Sequence, residues 1–160
     1  MVATCLLDPR NAALRQVIAW HPRLGDLVVP LIRVLAGPCA GFSVPLRWLT
    51  NMRAISNRPE LAQVVLRDRR GGGNSVPLGF LRSYLESAPA VEPEDARIPV
   101  VLAHPAKDRW TPVHVSQPFF ERLAGPKRLV MLDNAGHFPV EEPGVHQFVE
   151  AVVDAASGFA

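Results

Sequence analysis

Two side chains of this sequence, the Asp108 carboxylate and the His137 imidazole, stand where an acid and a base can work together. Asp108 follows an apolar run at residues 98–103, and His137 follows a second apolar run at 128–132. Each run is typical of a buried strand, and the segment between them is long enough for a helix. Because the carboxyl ends of parallel strands meet at one edge of a sheet, we expect the two side chains to lie together there. The simpler alternatives are that Asp108 forms a turn or caps the next helix, and that His137 caps the last helix from its loop.

The residues around His137 resemble a known histidine loop. The sequence Asn134-Ala-Gly-His-Phe-Pro139, followed by Glu141-Glu-Pro143, is similar to the histidine loop of the α/β-hydrolase superfamily, in its lipase- and esterase-like members with a helical lid. The resemblance implies a parallel sheet flanked by helices and a catalytic triad. In that triad His137 is the general base and then the acid, and Asp108 accepts the imidazole Nδ1–H and fixes the tautomer.

The same resemblance exposes a missing residue. In this superfamily the nucleophile stands on a Gly-x-Ser-x-Gly turn before the acid, and no such pentapeptide occurs in the 160 residues. Ser43 lacks the second glycine, and Gly71-Gly-Gly73 fits neither a phosphate loop nor the oxyanion motif. The chain therefore resembles the C-terminal half of an α/β-hydrolase, and the nucleophile type, Ser or Asp, stays open.

Two other aspartates compete with Asp108 for the role of triad acid. Asp133 lies on the same strand end as His137, too close in sequence to act as the partner from a neighbouring loop. Asp8 ends the first strand, and some members of the superfamily carry the acid on that strand, so Asp8 is the minor alternative.

The first strand is predicted at Val2–Leu7, a continuous apolar run, with Cys5 as a small buried hydrophobe within it. Asp8 is predicted to cap a helix that begins at Pro9 and runs to about Trp20. A buried strand with no strand before it is unusual, and it favours a truncated chain. Its open apolar edge predicts self-association, or pairing with a complementing chain, through strand 2–7.

The segment 22–97 is predicted to be a helical lid inserted into the core formed by residues 1–21 and 98–160. Its prolines separate short helical stretches, among them 59–70 and 76–85. A simple connection between strands needs only about a dozen residues, so the segment is an insertion. An apolar helical insertion over an active site is typical of a lid.

The C-terminal part predicts strand, helix, strand, helix with short loops, as in parallel α/β proteins. Thr111 and Pro112 are predicted to start the first helix, which Pro118 kinks or restarts. The second helix follows Pro143, and its apolar stripe predicts packing on the sheet by Val145, Phe148, Val149, Val152 and Val153.

Composition excludes several classes of function. A net charge of +2 gives no reason to expect a nucleic-acid partner, and the basic run 67–70 contains an acid, as in a solvated turn. Two cysteines make no disulfide framework, and no apolar run spans a bilayer, so a reduced, cytoplasmic setting is expected. No cofactor and no metal are expected, because no metal spacing is present. His104 is a candidate for the site mouth, and His114 and His146 are expected to face solvent.

The sequence thus predicts a hydrolase acting on an ester or a similar neutral apolar substrate, incomplete or inactive alone. The alternative is a non-catalytic binding or complementing domain that docks with a partner supplying the missing half. A third possibility is an open reading frame that starts upstream of Met1.

Overall fold

The computed structural model describes residues 1–18 and 22–158 of the chain. Its elements in chain order are β1 (Val2–Ala3), α1 (Ala12–Ile18), α2 (Pro22–Leu35), β2 (Ser43–Pro45), α3 (Leu46–Leu49), a 3₁₀ helix (Met52–Ile55), α4 (Pro59–Arg67), β3 (Ser75–Pro77), α5 (Leu78–Leu85), β4 (Val100–Pro105), α6 (Val113–Arg122), β5 (Lys127–Leu132) and α7 (Gly144–Ser157). They divide into two compact units. None of the helices within the described ranges has the length and apolar character that a bilayer crossing requires.

The first unit contains a parallel sheet with strand order β1-β4-β5, and it comprises Met1–Leu7, Ile55–Asn57 and Pro89–Ala160. In register, Leu102 of β4 lies beside Leu129 of β5. The predicted fold class, a parallel sheet flanked by helices, is confirmed. The two C-terminal strands are where the apolar runs indicate them, with ends shifted by up to two residues.

Helices cover both faces of β4, which explains why every residue of that strand is buried. On one face Val101 and Ala103 pack with Ala151 of α7. On the other face Leu102 packs with Phe120 of α6. The carboxyl end of β4 is therefore held from both sides, which fixes the loop that follows it.

The first strand is shorter than the predicted Val2–Leu7, because β1 ends at Ala3. Beyond Ala3 the chain finds other partners: the Leu6 backbone N–H donates to Ser116 Oγ at 3.1 Å instead of to a neighbouring strand. The helix predicted from Pro9 begins later, at Ala12. Its predicted end near Trp20 lies outside the described residues.

Asn11 replaces Asp8 as the residue that caps α1. The Asn11 Oδ1 atom accepts from the Ala13 N–H at 2.9 Å, as a side-chain cap does. Asp8 instead accepts from the backbone and the guanidinium of Arg10. The predicted cap was therefore wrong by three residues.

Two predictions for the C-terminal helices need correction. Of the two alternatives predicted at Pro118, the restart is wrong, because α6 runs through it from Val113 to Arg122, and the kink stays a prediction. In α7 Phe148 and Ala151 pack on the core, whereas Val149 and Val153 are more than half exposed. The helix turns its alanine stripe to the sheet, because small side chains allow a closer approach.

The second unit comprises Asp8–Ala54 and Arg58–Ala88. Its helices pack around Ile32, Ala36 and Leu78. The antiparallel pair β2-β3, unforeseen from the sequence, is formed by two copies of the tripeptide Ser-Val-Pro, each leading into a helix. The division into a core at 1–21 and 98–160 and a lid at 22–97 stays a prediction.

Candidate active site

The turn that follows β4 holds Asp108 in a fixed orientation. Asp108 Oδ1 accepts from the backbone N–H groups of Trp110 and Thr111, both at 2.8 Å. This leaves Oδ2 to point away from the turn, and the side chain has no exposed surface. The interpretation of Asp108 as a turn former is therefore confirmed, while its role as the triad acid stays a prediction.

The loop after β5 brings His137 to that second oxygen. Asn134 takes a positive φ of 60°, and Gly136 lies so close to Asn57 that a Cβ atom there would approach its amide within 3 Å. The Gly136 N–H donates to Glu141, which ties down the loop from the other side. As a result, His137 Nδ1 lies 2.9 Å from Asp108 Oδ2. The predicted proximity of the two side chains is observed.

Aromatic rings fix the plane of the imidazole. The Trp110 ring meets the His137 ring edge-on, with centroids 4.7 Å apart, and Phe138 lies 5.8 Å away. The His137 side chain is 16% exposed, and within the described residues no hydrogen bond engages its Nε2 atom. Nε2 is therefore the nitrogen that is left for a reacting group.

Thr111 and Cys5 complete the site, and neither was predicted from the sequence to belong to it. The Thr111 hydroxyl donates to Asp108 Oδ2 at 2.9 Å and lies 3.0 Å from His137 Nδ1. Cys5 Sγ lies 3.3 Å from the same hydroxyl and 4.0 Å from His137 Nδ1. The expectation of a buried hydrophobic Cys5 was wrong. The sequence carried no signal for this, because Cys5 lies inside the predicted strand Val2–Leu7 and only the structure ends β1 at Ala3.

These contacts make the site strongly ionic. Burial disfavours a charged imidazole, but the hydrogen bonds and charges of Asp108 and Cys5 outweigh it and raise the pKa of His137 to about 9. Burial likewise opposes ionisation of Asp108, but its bonds to His137 and Thr111 lower the pKa of this carboxyl below its usual range.

The same surroundings favour the ionised form of the Cys5 thiol. Burial raises its pKa, but the neighbouring side chains of His104, His137 and Thr111 prevail and lower the pKa of Cys5 to about 6. His104 does not line an open site mouth as expected. It is fully buried, with Nδ1 3.1 Å from the Pro105 carbonyl oxygen.

The remaining candidates lie elsewhere or have other partners. Asp8 forms its ion pair with Arg10 at 2.8 Å, and Asp133 accepts from the side chain of Gln147 at 3.0 Å. Ser43 lies within β2. His114 and His146 are exposed, as expected.

Comparison with known proteins supports the fold. None of the protein-family models matches the chain, and none of the curated proteins does. Among solved structures, the crystal structure of the Paleococcus ferrophilus monoacylglycerol lipase is similar, with a TM-score of 0.61 and 19% sequence identity. The match covers 82% of this chain and 52% of that chain. The chain thus spans about half the length of a lipase whose fold it shares.

Proposed function

We propose that the chain contributes the acid and the base of a hydrolase that cleaves an ester or a similar neutral, apolar substrate. One observation carries this proposal: the 2.9 Å contact between Asp108 Oδ2 and His137 Nδ1 at the carboxyl ends of neighbouring parallel strands. The buried carboxylate holds the proton on Nδ1, so that Nε2 keeps its lone pair when the ring is neutral.

The division of labour follows from these atoms. Nε2 of His137 takes the proton of a nucleophile and later gives it to the leaving group, while Asp108 orients the ring and stabilises the imidazolium. The 160 residues contain no nucleophile elbow, so the nucleophile and the oxyanion donors come from another polypeptide segment. Because the pKa of His137 is about 9, the ring becomes a base only as the pH rises or as its ionic neighbours are neutralised.

Apolar surface in the second unit supports the proposal that the substrate carries an apolar group. Its large exposed side chains include Val34, Phe42, Trp48 and Phe80, each more than half exposed. Side chains of this kind bind alkyl or aryl groups rather than charged ones. The proposed role of residues 22–97 as a lid rests on this character.

Hydrolysis is expected only when an elbow is supplied. The chain alone should cleave p-nitrophenyl butyrate no faster than its His137→Ala variant, and a fluorophosphonate should leave its mass unchanged. Produced together with a polypeptide that carries the Gly-x-Ser-x-Gly elbow and the strands before it, the chain should become active. Asp108→Asn should then lower kcat by about 10⁴-fold, and His137→Ala by about 10⁶-fold.

The exposed His114 provides the matched control, since His114→Ala should keep full activity. A one-to-one complex that copurifies, yet hydrolyses the ester equally well with His137→Ala, would rule out the proposed role of the pair. Labelling of a serine in the chain alone would reveal a nucleophile elsewhere in these residues.

A second proposal, a non-catalytic complementing domain, is favoured by the edge of the sheet. In the described part of the chain β1 pairs with β4 only, so its other side offers free backbone donors and acceptors. A second copy of this chain, or a strand of a partner, fits such an edge.

This open edge predicts self-association that rises with protein concentration. Ala3→Lys, which places a charge on β1, should shift the mass measured by light scattering toward the monomer. Ala13→Lys, on an exposed position of α1, should leave the distribution unchanged. A wild-type chain that stays monomeric at millimolar concentration would contradict docking through this edge.

A further inference from the structure

Three ligand atoms of different chemistry converge beside the Thr111 hydroxyl. Cys5 Sγ, Asp108 Oδ2 and His137 Nδ1 all lie within 4.8 Å of one another. They lie on the segments that follow three neighbouring strands, β1, β4 and β5. We propose that Cys5, Asp108 and His137 form a binding site for one zinc ion.

The spacing suits zinc. Bonds of about 2.0–2.3 Å at tetrahedral angles separate neighbouring ligand atoms by about 3.3–3.6 Å. The observed separations are 2.9 Å between His137 Nδ1 and Asp108 Oδ2 and 4.0 Å between His137 Nδ1 and Cys5 Sγ. Side-chain shifts of less than about 1 Å would bring these distances to the zinc values.

The ligand types select zinc among divalent ions. A thiolate and an imidazole nitrogen suit zinc, whereas magnesium and calcium prefer sets of oxygen ligands. One thiolate and one carboxylate also cancel the two positive charges of the ion. A neutral assembly of this kind is far less costly to bury than an isolated charge.

Hydrogen bonds from the surrounding backbone orient the ligands. The two backbone N–H groups on Asp108 Oδ1 hold the carboxylate so that Oδ2 faces the cluster.

Zinc at this site would exclude base catalysis, a consequence that rests on the proposed function. An imidazole whose Nδ1 lone pair is bonded to zinc keeps its single proton on Nε2. Such a ring cannot accept a proton from a nucleophile. Zinc would therefore act as an inhibitor that binds His137 at Nδ1, the nitrogen that faces Asp108.

Calorimetry with ZnCl₂ on the metal-free, reduced 160-residue chain should give one site per chain. With cobalt(II) in place of zinc, the complex should show the near-ultraviolet absorption of a thiolate–cobalt bond. Cys5→Ser should weaken binding more than about 100-fold, since even loss of a group that only hydrogen-bonds to a ligand costs about 10- to 100-fold. Cys39→Ser, at the exposed second cysteine, should bind as the wild type does.

Protection from alkylation keeps the test decisive if Cys5→Ser fails to fold. In the wild-type chain, stoichiometric zinc should block iodoacetamide at Cys5 and leave Cys39 reactive. Absence of a stoichiometric site, or equal loss of binding in Cys5→Ser and Cys39→Ser, would overturn the proposal. Neither result bears on the hydrolytic pair, which is tested separately by complementation with a nucleophile segment.

Discussion

Asp108→Ala is expected to lower the free energy of unfolding of the first unit by about 3 to 5 kcal/mol, the loss seen when one partner of a buried ion pair is removed. The substitution leaves the N–H groups of Trp110 and Thr111 without their acceptor. It also leaves the His137 imidazolium without its counter-ion at 2.9 Å. Both losses fall in a turn whose carboxylate is fully buried, so water replaces the carboxylate poorly.

Asp108→Asn separates these two contributions. The asparagine Oδ1 can still accept from the turn, so the stability loss should be clearly smaller than for alanine. Its amide, however, carries no charge and presents donors to His137 Nδ1. We therefore expect the pKa of His137 to fall from about 9 by about 1 to 3 pH units. Urea unfolding and an NMR titration of the His137 ring protons measure the two effects on the same samples.

The pair also determines how stability depends on pH. The raised pKa of His137 contributes stability that is present below its unfolded value of 6.5 and is lost as the pH rises through about 9. The lowered pKa of Asp108 contributes stability above its unfolded value, which is lost as the pH falls through its folded pKa. Both slopes should flatten in Asp108→Ala. A wild-type His137 that titrates near 6.5, or an alanine variant as stable as the wild type, would disprove the ion pair.

Leu102→Ala is expected to cost about 3 to 5 kcal/mol, near the upper end for leucine truncations in a core. Leu102 has no exposed surface and packs in the centre of β4 with Val100, Phe120 and Leu123. Truncation leaves a cavity between the sheet and α6 that the rigid strand cannot close. The lost packing reaches the start of the Asp108 loop, which the end of the same strand carries.

Leu129 is the matched control for this substitution. It is the register partner of Leu102 on β5, yet it is 42% exposed. Leu129→Ala removes the same atoms at the same level of the sheet and should cost less than about 1 kcal/mol. Urea unfolding of both variants, read from circular dichroism, gives the comparison. Equal losses would show that β4 is not the central, doubly covered strand.

The part of the site that depends on local patterns was predictable from sequence. The apolar runs before Asp108 and His137 indicate strands, and the topology of parallel strands brings their ends together. Thr111 was assigned only as a cap, although its hydroxyl bridges the acid and the imidazole. A hydroxyl three residues after an acid has many possible hydrogen-bond partners. Only the folded loop selects among them.

Cys5 shows why the rest could not be predicted. Within the run Val2–Leu7 the sequence distinguishes neither strand from irregular chain nor a hydrophobic thiol from an ionised one. The partners that decide both, Ser116 for the backbone and Thr111 for the thiol, are more than a hundred residues away. The pair β2-β3 escaped notice for a related reason, since three-residue strands carry almost no periodicity.

The wide sequence separation of Cys5 from its partners also determines the order in which the contacts of the site form and open. Asp108 and His137 are 29 residues apart, whereas Cys5 and His137 are 132 apart. The longer loop differs from the shorter one by about two doublings of length. Each doubling adds about 0.6 kcal/mol to the entropic cost of closing a loop. Only the two-residue strand β1 holds that closure in the sheet. In local opening the thiol therefore departs first, and a chain that has released its N-terminal segment keeps the acid–base pair but loses one of the two anions that raise the pKa of His137.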